Sequence, residues 1–126
     1  MEISRLDHLV LTVRDIETTV AFYTSVLAMR KQLFGQGRVA LSYGDQKINL
    51  HEAGREIEPK AQHPQPGSAD LCFISKTPLE EVIAHVKSCG VEILEGPVTR
   101  TGARAALLSI YFRDPDNNLI ELANEV

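Results

Sequence analysis

The chain lacks the long apolar segments that cross membranes and the long basic runs that bind nucleic acids. None of the apolar runs in its 126 residues approaches the about 20 residues of a membrane-spanning helix. The first residues, Met-Glu-Ile-Ser-Arg, do not show the charged-then-apolar pattern of a signal peptide, so a cytoplasmic location is expected. A formal net charge of −4 without a basic run argues against a nucleic-acid surface. The expected partner is therefore a small molecule, with no nucleic acid and no membrane.

Cysteine is also scarce, and its placement excludes two common roles. Cys72 and Cys89 are the two cysteines, too few and too far apart for a disulfide framework or a closely spaced metal-binding pair. Cys72 lies inside an apolar segment that is typical of a strand, and Cys89 lies near the end of a predicted helix. Both are expected to be reduced and to pack in the core.

Two predicted strands carry a titratable residue in an otherwise apolar segment. Residues 109–123 indicate a β-hairpin, because two apolar runs flank the turn-forming residues Asp-Pro-Asp-Asn-Asn. Alternation in the second strand places Glu121 on the same face as Leu119 and Ala123. An earlier strand has His8 in the same kind of setting. A buried carboxylate needs a charged partner or a metal, so the two residues are best considered together.

The order of the predicted elements repeats. A helix capped by Asp15 follows the first strand, and three further strands complete a βαβββ unit of residues 4–52. Residues 53–67 contain three prolines and predict a linker. A second unit, residues 68–124, has a helix over 78–89 whose start is marked by a capping box from Thr77 to Glu80. Its next strands are predicted at 91–94 and 106–112, with Tyr111 and Phe112 in the core, and the two units are expected to form one domain, residues 1–126.

Aligning the two units predicts a site. The helix caps Asp15 and Thr77 define an offset of 62 residues, which also carries His8 onto Asp70. An offset of 72 residues in the final strands carries Asn49 onto Glu121. Positions 8, 49, 70 and 121 are therefore predicted to cluster. One imidazole with the carboxylates of Asp70 and Glu121 suits a divalent ion such as Ni, Mn, Co, Zn or Fe.

Three motifs at these positions resemble those of the vicinal oxygen chelate superfamily. They are the early Asp-His-aliphatic strand, the Arg-Asp-Ile and Ala-Phe-Tyr helix opening, and the late Phe-Arg-Asp-Pro-Asp-x-Asn-x-Ile-Glu hairpin. The superfamily includes glyoxalase I, fosfomycin resistance proteins, extradiol dioxygenases and bleomycin-binding proteins, and the resemblance covers nearly the whole chain. It implies an α+β fold in which two βαβββ repeats form an open, cup-shaped mixed β-sheet with the helices outside.

The resemblance also implies a function. It suggests a metal-dependent lyase or isomerase of the glyoxalase type, similar to lactoylglutathione lyase, whose small substrate has adjacent oxygens and includes glutathione conjugates. Glu121 is then the candidate base, with Asp70 second. Asn49 and Asp70 depart from the glyoxalase I pattern, and His51, on the same face as Asn49, is the other candidate for a fourth ligand. Further candidates, for substrate binding, are Tyr43 and Arg104.

Two other functions remain open from the sequence. An extradiol dioxygenase holds ferrous iron with two histidines and one carboxylate, but here Asp70 stands in place of the middle histidine. A drug-binding or metabolite-binding protein, like the bleomycin-resistance relatives, needs no metal. Exposed sheet edges predict a homodimer, and the linker allows two chains to exchange halves.

Overall fold

The computed structural model describes all 126 residues, which form two compact units, Met1–Pro66 and Gly67–Val126. Each unit has one helix and one four-stranded sheet. This confirms the predicted α+β class with two βαβββ repeats, while the single domain over 1–126 stays a prediction. Neither helix has the length and hydropathy needed to span a bilayer.

The first unit is a mixed sheet with its helix on one face. Its strands lie in the order β1-β4-β3-β2, with β1 parallel to β4 and the other pairs antiparallel. Helix α1 begins as predicted, because Asp15 Oδ2 accepts a hydrogen bond of 2.9 Å from the Thr18 backbone N–H. The elements are β1 (His8–Val13), α1 (Ile16–Val26), β2 (Arg30–Phe34), β3 (Arg38–Tyr43) and β4 (Gln46–Glu52).

Strand alternation divides this sheet into an apolar face and a polar one. Tyr23 and Val26 of α1 are buried, as are the sheet residues that alternate toward the helix, Leu11, Val13, Leu41, Ile48 and Leu50. The opposite face carries His8 on β1 and Asn49 and His51 on β4. The apolar packing therefore leaves the candidate site residues of this unit together on one face.

The second unit repeats this arrangement, with the strand order β5-β8-β7-β6 and β5 parallel to β8. Ile120 and Leu122 of β8 pack on the helix side with Val82 and Val86, so Glu121 points to the opposite face. The elements are β5 (Asp70–Ile74), α2 (Leu79–Ser88), β6 (Glu95–Thr101), β7 (Ala106–Arg113) and β8 (Leu119–Glu125).

The register of the parallel strands confirms the internal repeat. Val10 of β1 is paired with Asn49 of β4, and Cys72 of β5 is paired with Glu121 of β8. The offsets of 62 and 72 residues inferred from the sequence relate these two pairs. Asn49 and Glu121 thus occupy equivalent positions in the two sheets.

The predicted capping box of α2 is wrong. Pro78 occupies the cap position and makes no side-chain cap hydrogen bond, because the Thr77 backbone N–H is held by Ser75 Oγ at 3.0 Å in a preceding turn. The helix is capped instead from β8, where Asn124 Oδ1 accepts a hydrogen bond of 2.7 Å from Leu79 N–H. The Asn124 amide also donates to the carbonyls of Ser75 and Thr77, at 3.0 and 2.9 Å. A side chain 45 residues away, brought close by the sheet, provides the cap.

The strand predicted at 91–94 is also wrong, because β6 begins at Glu95. Residues 91–94 form the exit from α2, where Val91 N–H donates to the Val86 carbonyl at 3.3 Å. The pairing of β6 with β7 is irregular between Glu95 and Val98. A Cβ on Gly96, whose φ is +113°, would lie 2.4 Å from the Ser109 carbonyl oxygen, so the close approach of β6 to β7 requires glycine there.

The predicted hairpin between β7 and β8 is confirmed, and one buried carboxylate organises its loop. Asp114 Oδ1 accepts hydrogen bonds of 2.9 Å from the backbone N–H groups of Asp116 and Asn118, and Oδ2 accepts one of 2.8 Å from the Asn118 amide. Asn118 Oδ1 in turn accepts from Ala69 N–H at 2.9 Å. The loop therefore fixes the start of β5 beside β8, which places Asp70 and Glu121 on one sheet.

Candidate metal and substrate site

Glu121 lies at the centre of the polar face of the second unit, surrounded by neutral donors. Ser109, whose side chain is fully buried, donates its hydroxyl proton to Glu121 Oε2 at 2.6 Å. The hydroxyl of Tyr111, directly opposite on β7, and the thiol of Cys72 on β5 also donate to this carboxylate. No Lys, Arg or His of its own unit forms an ion pair with Glu121. Its negative charge is thus solvated by dipoles but not neutralised.

The environment of Glu121 keeps its neighbouring donors protonated. Burial, the charge of Glu121, the hydrogen bond to it and the charge of Asp70 raise the pKa of the Cys72 thiol to about 11. Burial raises the pKa of Tyr111, and its hydrogen bond to Glu121 acts in the same direction. At neutral pH both groups are therefore hydrogen-bond donors, and Cys72 is a thiol and not a nucleophilic thiolate.

Asp70 is the second carboxylate on this face. It is the first residue of β5 and is exposed, opposite Leu119 of β8. Because Cys72 lies two residues further along β5 and is paired with Glu121, the two carboxylates are diagonal neighbours on the same face of the sheet. Of the four predicted positions, the second unit brings these two together.

A cavity of about 470 Å³ opens beside Glu121. It is bounded by the polar face of the sheet and by the connection from β6 to β7, where Gly102 N–H donates to the Ala105 carbonyl at 2.9 Å. The cavity is large enough for a small organic molecule. Its lining residues are Cys72, Ile74, Arg100, Thr101, Gly102, Ala103, Arg104, Leu107, Glu121 and Glu125.

The two residues predicted to bind substrate have different surroundings. Arg104 lines this cavity and forms a two-pronged ion pair with Glu125, with Nε and Nη2 donating at 2.6 and 2.8 Å. Tyr43 ends β3 of the first unit on the face of Leu41, which is the helix side and not the side of Asn49. Burial raises the Tyr43 pKa.

His8 begins β1 with its side chain 44% exposed. Its Nδ1 lies 2.9 Å from Asp7 Oδ2, and this hydrogen bond is the main cause of the lowered pKa of Asp7. A carboxylate that accepts a proton from Nδ1 fixes the tautomer whose Nε2 has a free lone pair, which is the form that binds metals. Asp7 therefore orients His8 as a ligand.

Asn49 and His51 follow on the same face of β4, and both are 5% exposed. The side-chain oxygen of Asn49 is buried and accepts no hydrogen bond. His51 Nε2, in contrast, lies 3.4 Å from Arg38 Nη2, and burial and the charge of Arg38 lower its pKa. Because arginine only donates, His51 Nε2 is the acceptor. Asn49 thus has the free oxygen, whereas the His51 lone pair is already engaged.

The expected core positions of Cys72 and Tyr111 are wrong, and both residues belong to the site. Cys72 and Cys89 are free and exposed, because alternation in β5 turns Cys72 to the polar face and Cys89 follows the end of α2. Tyr111 is half-buried, and its oxygen accepts a hydrogen bond of 2.9 Å from Arg100 Nε. Phe112 is in the core as predicted.

Alternation also indicates the residues that the sequence prediction missed. Counting by twos from Tyr111 gives Ser109, and the partner of Glu121 across the parallel register is Cys72. No group of three or more His, Cys, Asp or Glu side chains that could hold a metal ion is found in the structure.

Comparison with known proteins places this site in a family. The Glyoxalase/Bleomycin resistance protein/Dioxygenase superfamily profile matches residues 5–122. A virulence protein of Salmonella typhimurium is 56% identical, over 100% of this chain and 88% of its own. A glyoxalase domain-containing protein of Mycosarcoma maydis is 53% identical, over 98% of this chain and 70% of its own.

Solved structures agree with the sequence comparison. An integron cassette protein from the mobile metagenome of V. cholerae is 60% identical with a TM-score of 0.97, covering 98% of this chain and 97% of its own. The crystal structure of the Salmonella protein has a TM-score of 0.99 and covers 100% of both chains. A lactoylglutathione lyase from Agrobacterium tumefaciens shares the fold at 20% identity, with a TM-score of 0.75 over 98% of this chain and 96% of its own. The profile and the relatives together show that the chain belongs to the glyoxalase, bleomycin resistance protein and dioxygenase superfamily, the vicinal oxygen chelate proteins.

Proposed function

We propose that the protein is a metal-dependent lyase or isomerase of the glyoxalase type, acting on a small substrate with adjacent oxygens. The observation that carries this proposal is the setting of Glu121, a carboxylate at the wall of a cavity that has neutral donors but no cationic partner in its own unit. A partly buried negative charge of this kind is stabilised by a bound cation.

The residues present fit a divalent metal. His8, Asp70 and Glu121 offer one imidazole and two carboxylates, a donor set that suits Mn, Ni, Co, Zn or Fe. His8 is already oriented by Asp7 at 2.9 Å, and Asn49 has a buried oxygen without a hydrogen bond, so Asn49 is a better fourth candidate than His51. When bound, the ion would supply Lewis-acid stabilisation of negative charge that develops on adjacent substrate oxygens.

The chain itself supplies proton transfer and substrate orientation. Glu121 is the proposed base, and the Ser109 hydrogen bond of 2.6 Å fixes one of its oxygens while the other is left to approach the substrate. Asp70, on the same face, is the second candidate. Cys72 and Tyr111 remain protonated and stabilise the ionised form of Glu121. The remainder of the substrate occupies the cavity, where Arg104 provides a positive charge.

The proposed ligands come from both units, and we propose that the working form is a homodimer. Each sheet has unpaired edge strands, and Leu33 on β2 and Ile74 on β5 are exposed apolar residues on them. If two chains exchange halves, a mixture of His8→Ala and Glu121→Gln chains, unfolded and refolded together, regains part of the metal sites that each variant alone has lost. Sedimentation that gives a monomer mass at every concentration would contradict the dimer.

Metal analysis and one assay test the proposed activity. The purified protein should bind about one divalent ion per site, and with Ni, Mn or Zn it should convert the adduct of methylglyoxal and glutathione. Glu121→Gln and His8→Ala should lose metal and turnover together, whereas Glu125→Gln, a carboxylate of the same cavity that is paired with Arg104, should keep both. Stoichiometric metal without turnover rejects this substrate, and protein that binds no metal in the micromolar range supports a metal-free binding protein instead.

A further inference from the structure

Two cations meet at one aromatic ring on the polar face of the first unit. The ammonium of Lys47 lies 3.8 Å from the ring centroid of Phe34, and the guanidinium carbon of Arg38 lies 4.7 Å from it. Phe34 and Arg38 are directly opposite each other on β2 and β3. Lys47 reaches the ring from β4, where it is paired with His8 of β1. The ring face attracts both charges and holds them near each other.

Neither cation has an acidic partner. No ion pair is formed by Arg38 or Lys47, although both are partly buried. Two acids act on this region, but each is held elsewhere. Asp7 bonds to His8 at 2.9 Å, and Glu56 accepts from Gly54 N–H at 2.8 Å and lies 3.6 Å from Lys60. Two like charges held together without a counter-charge are unfavourable, so an anion is the partner that this face lacks.

A buried donor points in the same direction. Arg38 Nε is shielded from solvent and donates no hydrogen bond, which is costly for a charged group. The neutral ring of His51 accepts from the other end of the guanidinium, at Nη2. One end of Arg38 is therefore fixed by His51, and the Nε edge remains available for an acceptor.

We propose that Phe34, Arg38 and Lys47 form an oxyanion-binding subsite, which takes a phosphate, phosphonate or carboxylate group. The arginine edge presents directional donors to the anionic oxygens, and the lysine adds a mobile positive charge. The subsite is independent of the proposed metal chemistry, since none of its three residues is a proposed metal ligand. If that chemistry also holds, the position of Lys47 beside His8 means that the protein selects substrates bearing an anionic group.

Anion titration of the full-length chain, with chelator present to remove metal, tests the subsite. At constant ionic strength, inorganic phosphate should cause saturable shifts in the backbone amide resonances of Phe34, Arg38 and Lys47. Methylphosphonate serves as the second probe. Equal affinity for the two anions indicates recognition of the oxygens alone, and tighter binding of methylphosphonate indicates an anionic group carried on carbon; either result supports the subsite.

Substitutions distinguish this site from general attraction of anions. Lys47→Met and Arg38→Met should each weaken binding by about tenfold or more, the loss of one charge-assisted hydrogen bond. Lys31→Met is the matched control, because this exposed lysine lies on the opposite face of β2, and it should leave the affinity unchanged. Should Arg38→Met fail to fold, Lys47→Met alone decides. No saturable shift with either anion, or shifts that persist in Lys47→Met, would overturn the proposal.

Discussion

Neutralising Glu121 separates a metal ligand from a structural carboxylate. If Glu121 balanced a buried cation, Glu121→Gln would leave that cation without a partner and cost about 3–5 kcal/mol. Its partners here are neutral donors, with Ser109 at 2.6 Å. The variant therefore only exchanges a charge-assisted hydrogen bond for a neutral one, a difference of about 1 kcal/mol. In the presence of chelator, we expect parent and variant to have nearly the same free energy of unfolding.

Added metal should reverse this similarity. At a free metal concentration of 100 times its dissociation constant, a ligand bound only by the native state stabilises the parent by about 2.7 kcal/mol. If Glu121→Gln weakens binding by about a hundredfold, the same metal stabilises the variant by only about 0.4 kcal/mol. Urea unfolding of both proteins, with chelator and with Mn or Zn, measures all four values.

The matched control is Glu125→Gln, which removes a carboxylate from the same cavity and should keep the full response to metal. Two results would refute the reasoning. One is a loss of 3–5 kcal/mol for Glu121→Gln in chelator, which would reveal a cation that Glu121 neutralises. The other is an unchanged metal response, which would remove Glu121 from the ligands.

Three further predictions follow from other contacts. Asn124→Ala should destabilise the protein by about 2 kcal/mol or more in urea unfolding, since it removes the α2 cap and two further hydrogen bonds, whereas Thr77→Ala should have little effect; equal losses would contradict this. In a Cys89→Ala background, alkylation of Cys72 by iodoacetamide should accelerate up to a pH of about 11, and a plateau near pH 9 would contradict the raised pKa. The lowered pKa of His51 means that the unfolded chain binds its proton first as the pH falls, so stability is lost from about pH 6.5 down through the lower folded pKa; His51→Gln should flatten that part of the stability profile.

Local sequence signals predict this fold well where the physics is local. The Asp15 cap, the alternation around Glu121 and the turn residues after Arg113 each act within a few residues. The repeat was also readable, because the offsets linking His8 to Asp70 follow from the order of elements alone. These signals account for the fold class and for most strand positions.

The errors occur where a distant group outcompetes a local one. Thr77 has the sequence of a helix cap, but Asn124 supplies the acceptor from β8, and no sequence spacing indicates that contact. Cys72 has the surroundings of a core residue in the sequence, yet the parallel register places it against Glu121. Such contacts depend on which strands are neighbours, and that information arises only when the sheet is assembled.

The two units use one register for opposite electrostatic purposes. Position for position, Asn49 corresponds to Glu121 and His8 corresponds to Asp70, so the polar face of the second unit carries two carboxylates where the first carries an amide and an imidazole. The first unit adds Lys47, which has no acidic partner, to the same face. A repeat whose backbone is the same but whose charges are opposite cannot bind the same chemical group twice. The carboxylates suit a cation and the unpaired bases suit an anion, so we expect the two faces to recognise different parts of a ligand, one through a metal and the other through an anionic group.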